Sequence, residues 1–184
     1  IHKTVASNYA LTQNQIKERQ LMKIRIKEKT NDLPENNWFE KITESLRNLD
    51  CELYVKGLTK LSQSEQKIKV EYLQNYILDH LEKQHSDFKW KTEHQVSEKR
   101  DSIDIFGERN NEILIIELDK WRADQVAKKL ISRTALMIDK KIGFISLCYA
   151  GTEKMSKNEC LKFFRYGNII LSKLNNYYAG LIIE

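Results

Sequence analysis

The sequence has one proline and three cysteines among its 184 residues. Three cysteines that stand far apart indicate neither a disulfide framework nor a Cys-x-x-Cys zinc site. The four histidines form no metal-ligand pair at helical spacing, which argues against zinc. No apolar run approaches the ~20 residues that a membrane helix needs, and the opening IHKTVASNYA lacks the apolar core of a signal peptide. These absences predict a cytoplasmic protein that does not enter a membrane.

The net positive charge is concentrated at the start of the chain. Residues 1–30 contain seven basic and two acidic residues, so this segment alone accounts for the net charge of +5. Within it, Lys23, Arg25 and Lys27 alternate with apolar residues, as in a strand, while Thr12 and Gln15 have the spacing of a helix-capping box. We predict a helix here. Such a segment is either a contact surface for DNA phosphates or a solvated face.

Hydrophobic periodicity predicts an α/β fold with a mixed central sheet flanked by helices. Residues 1–62 are expected to form a basic, mainly helical extension with a short helix at 38–49, and residues 63–184 a second unit. In the second unit we expect helices at 65–84, 121–139 and 156–174, the last capped by Ser156, and strands at 88–96, 103–106, 113–118, 142–149 and 178–183. The turn between the second and third of these strands is placed at 107–111, where glycine and asparagine supply turn chemistry.

Three acids interrupt the apolar hairpin at residues 103–118. Side chains alternate across a strand, so Glu117 and Asp119 share one face and Lys120 lies on the other. An unpaired carboxylate is costly to bury, and Asp104 interrupts the neighbouring strand in the same way. If the hairpin pairs normally, the three acids converge on a group of oxygens that suits Mg²⁺, with Mn²⁺ as a substitute.

This stretch resembles the PD-(D/E)xK nuclease superfamily, the fold of many restriction endonucleases. In that pattern an Asp, a short loop and an apolar strand ending in (D/E)-x-K lead into a helix. Asp104, the Gly107 turn, the run ILII, Glu117 and the segment 121–139 take those places. Gln125 matches a glutamine found early in that helix in RecB-like members. The resemblance covers roughly residues 65–184, and the predicted element order is also that of the superfamily core.

Two positions depart from the pattern. Ile103 stands where the motif has proline, and Asp119 stands where it has lysine. The missing lysine is expected to come from elsewhere: Lys120 is one place late, Lys128 and Lys129 lie in the following helix, and Lys99 precedes the hairpin.

The resemblance implies a Mg²⁺-dependent DNA endonuclease, of restriction type, that acts as a homodimer. It implies metal ligation by Asp104, Glu117 and Asp119, with catalytic roles extending to Lys120 and Lys129. Glu71 is a possible further acid by its position, although a surface pair with Lys67 is the favoured explanation. The candidate DNA-binding residues are Arg122, Gln125, Lys128, Arg133, Lys23, Arg25 and Lys27. The alternative is that these residues only form a solvated helix face and a solvated basic arm.

Two other interpretations stay open. One is a catalytically degenerate relative that binds DNA or a partner subunit. The other is an unrelated α/β protein in which Asp104 and Glu117 pair at the surface with Lys99, Arg109 or Arg122.

Overall fold

A computed structural model describes residues 22–95, 102–137 and 139–184 of the chain. No helix in these ranges is both long and apolar enough to span a bilayer. The elements, in chain order, are β1 (Ile24–Lys29), α1 (Trp38–Leu46), α2 (Glu52–Val55), a 3₁₀ turn (Leu58–Lys60), α3 (Gln63–Gln84), β2 (Lys89–Gln95), β3 (Ser102–Arg109), β4 (Glu112–Lys120), α4 (Ala123–Thr134), β5 (Lys141–Tyr149), α5 (Lys157–Lys173) and β6 (Tyr177–Ile183).

The strands form a mixed sheet in the order β1-β6-β5-β4-β3-β2. The pairs β4–β5 and β5–β6 are parallel, whereas β2–β3, β3–β4 and β1–β6 are antiparallel. The predicted α/β class and the predicted order of elements from α3 onward are therefore confirmed. Ser156 caps α5 as expected, because its hydroxyl group accepts a hydrogen bond from the backbone N–H of Glu159 at 3.3 Å.

The basic segment around Lys23–Lys27 is a strand, so the predicted helix is wrong there. Strand β1 pairs with β6, with Ile24 opposite Ile183, because its apolar residues alternate and Ile24 can enter the core. The remaining part of the helix prediction, residues 12–21, lies outside the described residues. Residues 22–62 share one core with the rest of the chain, since α1 packs on the same sheet face as α3.

The hairpin turn is shorter than the sequence suggested. Arg109 pairs with Glu112, which leaves only Asn110 and Asn111 in the loop, and Asn110 adopts the left-handed conformation with φ of 50°. Gly107 lies inside β3 rather than in the turn. A Cβ atom at this position would stand 2.5 Å from the ring of Trp90, so the glycine allows the tryptophan to cover the strand.

Helices cover both faces of the sheet. On one face α1 and α3 bury an apolar cluster that includes Phe39, Leu73 and Ile77; on the other, α4 and α5 bury Val126, Phe164 and their neighbours. Strand β4 is covered on both sides, and residues 113–118 are all buried. A carboxylate near the end of such a strand requires charged partners, since its hydration is lost.

Candidate active site

Three carboxylates meet at one end of the β3–β4 hairpin. Asp104 lies near the start of β3, and Glu117 and Asp119 lie near the end of the antiparallel neighbour β4. Beyond the pair formed by Ile105 and Ile116, the backbone N–H of Leu118 donates to Oδ2 of Asp104 at 2.7 Å. This bond fixes the Asp104 side chain against β4. The structure thus places the three predicted acids together.

The ammonium group of Lys129 lies at the centre of these acids. Its Nζ atom stands 3.2 Å from Oδ2 of Asp104, 2.9 Å from Oε2 of Glu117 and 3.1 Å from Oδ1 of Asp119. Lys129 belongs to the second turn of α4, which docks directly after β4. Of the candidate lysines that the structure describes, Lys129 is the one that reaches the acids.

Two other candidate lysines, Lys120 and Lys128, point away from the acids. Lys120 points to the α3 side of the sheet and donates to Oε1 of Gln66 at 2.6 Å. Lys128 is exposed on the outer side of α4. Lys99 lies outside the described residues.

Arg133 supports the cluster from inside the protein. It stands one helical turn after Lys129 and is only 5% exposed. Its Nε atom donates to Oε1 of Glu117 at 2.9 Å, and its Nη2 atom donates to the backbone oxygen of Ser102 at 2.9 Å. These contacts place Arg133 inside the fold beside the buried Glu117 carboxyl group, so the predicted role of Arg133 as an exposed DNA-contacting residue is not supported.

The cluster contains more carboxyl groups than cations. Three carboxylates face the two cations Lys129 and Arg133. Burial, together with the charge of Asp104, raises the pKa of Glu117 to about 8. Burial also raises the pKa of Asp119 to about 6, against the opposing effect of Lys129. For Lys129 itself burial favours the neutral form, but the three surrounding carboxylates outweigh it and raise the pKa.

One oxygen of the cluster lacks a hydrogen bond. Glu117 is 1% exposed, and its Oε2 atom accepts no hydrogen bond even though the Lys129 ammonium group lies 2.9 Å away. The charge of this oxygen is balanced by its ion pair with Lys129 and not by an aligned hydrogen bond. Within the described ranges no group of three or more His, Cys, Asp or Glu side chains is already arranged as a metal site. The Lys129 ammonium group occupies the centre of the cluster formed by Asp104, Glu117 and Asp119.

A cleft of about 680 Å³ opens beside Asp104 on the α3 side of the sheet. Gln74 of α3 crosses to the sheet, where its Nε2 atom donates to the backbone oxygen of Asp104 at 2.5 Å and to Oε1 of Glu93 at 3.2 Å. The other oxygen of Glu93 accepts from the hydroxyl group of Ser102 at 2.6 Å. Tyr149, at the end of β5, lines the same cleft.

Gln74, Glu93 and Tyr149 were missed in the sequence. Glu93 stands opposite Asp104 between two regular pairs of β2 and β3, and its φ of 49° marks an irregularity in the strand. The one available signal was an acid in β2 at the position that antiparallel pairing sets opposite Asp104. For Gln74 and Tyr149 no local signal existed, since a helix and a distant strand bring them to the cleft.

The remaining predicted residues are more peripheral. Glu71 is exposed at the rim of the cleft. At the start of α4, Arg122 pairs with Asp124 at 2.7 Å, and Gln125 donates to the same carboxylate at 3.1 Å. Arg109 pairs with Asp87 and Glu112. Neither Arg109 nor Arg122 forms an ion pair with Asp104 or Glu117. The alternative in which one of these two arginines pairs with Asp104 or Glu117 at the surface is therefore wrong.

The basic strand β1 does not join this site. It is three strands away from β4, which corresponds to roughly 14 Å at the usual strand spacing. There Arg25 donates to Oδ1 of Asn48 at 2.8 Å, and Lys27 pairs with Glu184. Lys23 forms an isolated backbone bridge with Asp50.

No protein-family model, no curated protein and no solved structure matches this chain.

Proposed function

We propose that this protein is a metal-dependent phosphodiesterase that cleaves DNA, an endonuclease of restriction type. The observation that carries the proposal is the convergence of Asp104, Glu117 and Asp119 on one point, 2.9–3.2 Å from the Lys129 ammonium group. Acids from two adjacent strands, with a lysine beside them, supply the groups that hydrolysis of a phosphodiester requires. The sequence resemblance to the PD-(D/E)xK nucleases points the same way.

The donor set fits a hard divalent cation. Mg²⁺ binds through carboxylate oxygens, and few protein ligands suffice because it keeps several waters. The cluster has three carboxyl groups and two cations, and Oε2 of Glu117 makes an ion pair with Lys129 but no aligned hydrogen bond. Asp104 and Glu117 would hold Mg²⁺, or Mn²⁺ in its place, with Asp119 or the backbone oxygen of Leu118 as a further ligand.

When bound, such a cation lowers the pKa of a water molecule and offsets charge on the phosphate. The chain's own residues prepare the site for this chemistry. Arg133 and the Leu118 N–H hold Glu117 and Asp104 in fixed positions. Lys129, whose ammonium group is attached through a flexible stem, orients the attacking water and neutralises the developing negative charge.

The test is cleavage of supercoiled plasmid with Mg²⁺, with Mn²⁺ and with chelator. We expect nicking only with the divalent ions, and a loss of at least roughly a hundredfold in Asp104→Asn and Glu117→Gln, which remove the ligand charge. Retention of DNA binding by both variants in a gel-shift assay separates ligand loss from unfolding. Asp124→Asn is the matched control, because Asp124 is an exposed acid that pairs only with groups of α4 in the described structure. Full activity in either cluster variant would remove the proposal.

A second candidate is a catalytically degenerate nuclease-fold protein that binds DNA or a partner subunit. It is favoured by one observation: the Lys129 ammonium group already occupies the place where the carboxylates converge. This alternative predicts salt-sensitive DNA binding without cleavage, and no heat of Mg²⁺ binding in calorimetry. A homodimer, which would bring two such sites to the two strands of a duplex, is part of the nuclease proposal and is tested by sedimentation.

A further inference from the structure

The cleft beside Asp104 contains polar groups that the proposed cleavage reaction does not use. Tyr149 is 5% exposed, and its hydroxyl group makes no hydrogen bond within the described part of the chain although it borders the cleft. Gln74 is 7% exposed, and both of its donated hydrogen bonds go to the protein. Its amide oxygen accepts no hydrogen bond from the described residues. Two fixed and deeply placed polar groups are therefore left for a ligand.

The charge of the cleft disfavours a phosphate inside it. Its lining contains three acids, Glu71, Glu93 and Asp104, against two lysines, Lys67 and Lys120. One of these lysines, Lys120, is already bound to the Gln66 side chain. The other lining residues are mostly uncharged amides, hydroxyls and Val70. An uncharged group with hydrogen-bonding edges fits this lining better than a segment of phosphate backbone.

The size of the cleft agrees with a single flat group. Its volume of about 680 Å³ lies within the ~300–1,000 Å³ range of small-molecule sites. The cleft is framed by α3 on one side and by residues of β2, β3, β4 and β5 on the other. A base paired within a duplex cannot reach groups that are 5–7% exposed beneath a helix, because the neighbouring backbone meets the rim first. An unpaired base can turn about its own backbone and enter.

We propose that this cleft is a subsite for one unpaired nucleotide of the nucleic-acid strand, beside Asp104, which lines the cleft and belongs to the proposed metal site. The inference rests on the proposed function and adds to it a substrate class, namely DNA that is single-stranded or locally unpaired at the cut. The Tyr149 hydroxyl group and the Gln74 amide oxygen bind the edge of the base. Gln66 and Lys120 line the same cleft and are bound to each other.

The binding test uses a short fluorescent oligothymidylate in Ca²⁺, with a blunt duplex of mixed sequence for comparison. Val70→Trp fills the cleft, and we expect it to weaken binding of the single strand by at least roughly tenfold, since the base loses its place. The matched control is Ile68→Trp, because Ile68 lies on α3 but is 50% exposed and does not line the cleft. Both variants are first compared with the parent protein by thermal unfolding.

A second variant removes one atom without altering the packing. Tyr149→Phe should weaken oligothymidylate binding by roughly threefold to tenfold, the value of one hydrogen bond. Tyr166→Phe, on the 44% exposed Tyr166 of α5, is its control and should bind as the parent does. This pair decides the matter if Val70→Trp does not fold.

Cleavage of a duplex with a central unpaired tract, compared with the fully paired duplex, separates this inference from the proposed function. Preferred cutting in the unpaired tract, lost in Val70→Trp and kept in Ile68→Trp, supports both. Equal cutting of both substrates by parent and cleft variants overturns the subsite and leaves the nuclease. Cleft-dependent binding of oligothymidylate without any cleavage supports the subsite and refutes the nuclease. Binding of free thymidine monophosphate as tight as that of the oligonucleotide also overturns the proposal, since the cleft would then serve a small molecule.

Discussion

Replacement of Lys129 by methionine removes the one cation that touches all three carboxylates. Lys129 is 19% exposed, and Asp104, Glu117 and Asp119 are 21%, 1% and 13% exposed, so solvent replaces little of the lost charge. Breaking a buried ion pair by removing one partner costs about 3–5 kcal/mol. We expect the free energy of unfolding to fall by about 3 kcal/mol at pH 8, the lower end of this range, because the carboxylates can reduce their mutual repulsion by taking up protons. For a chain of this length that corresponds to a fall in melting temperature of roughly 6–12 °C.

Two further features of the Lys129→Met result follow from the same geometry. The loss of stability should shrink toward pH 5, where protonated carboxylates no longer repel one another. Mg²⁺ should stabilise the variant more than the parent, since a dication replaces the missing charge. At a concentration a hundred times the dissociation constant for the variant, the free energy of unfolding of the variant should rise by about 2.7 kcal/mol.

The assay is thermal unfolding followed by circular dichroism at pH 5 and pH 8, with and without Mg²⁺. The control is Lys128→Met, which removes an equal charge from the neighbouring exposed position of α4. Equal melting temperatures for the two variants at pH 8 would show that Lys129 does not neutralise the cluster. An Mg²⁺ effect no larger in Lys129→Met than in Lys128→Met would refute the assignment of these acids as cation ligands.

Three other predictions concern stability. The metal-free protein should lose stability as the pH rises from about 4.5 to about 8, because the unfolded chain releases the Glu117 proton near pH 4.5 while the folded chain keeps it to about pH 8. Urea denaturation at a series of pH values should show that the free energy of unfolding falls less steeply with pH in Glu117→Gln than in the parent. An identical dependence on pH in the two proteins would contradict the shifted pKa of Glu117. Ser62→Ala should cost about 1 kcal/mol, since Ser62 and Glu65 form a capping box at the start of α3; exposed Ser86 is the control, and equal denaturation midpoints for the two alanine variants would rule out the cap. Gly107→Ala should cost about 1–3 kcal/mol, because its Cβ would lie 2.5 Å from the Trp90 ring; the combination with Trp90→Leu should recover part of the loss, and a stable single variant would contradict the close packing.

Much of the architecture was encoded locally. The alternation in β3 and β4 and the apolar run of β5 follow from side chains that point to opposite faces of a strand, and the helical spacing in α3 follows from 3.6 residues per turn. The same rules identified the three acids, since a carboxylate within an apolar strand demands a partner wherever the strand lies. At β1 the local rules gave conflicting answers. The alternation of apolar and basic residues indicated a strand and the capping box indicated a helix. The segment forms a strand, because β6 provides an edge with which it can pair.

The partners of the acids were decided only by tertiary structure. Lys128 and Lys129 are adjacent in sequence and differ by about 100° around the helix axis, so the docking angle of α4 selects one of them. That same angle buries Arg133, one turn later, against Glu117. The cleft depends on α3 packing beside the ends of strands that are far apart in the chain, which no local pattern records. Local patterns of residues show which positions need charged or apolar surroundings, and the packing of helices on the sheet decides which groups supply them.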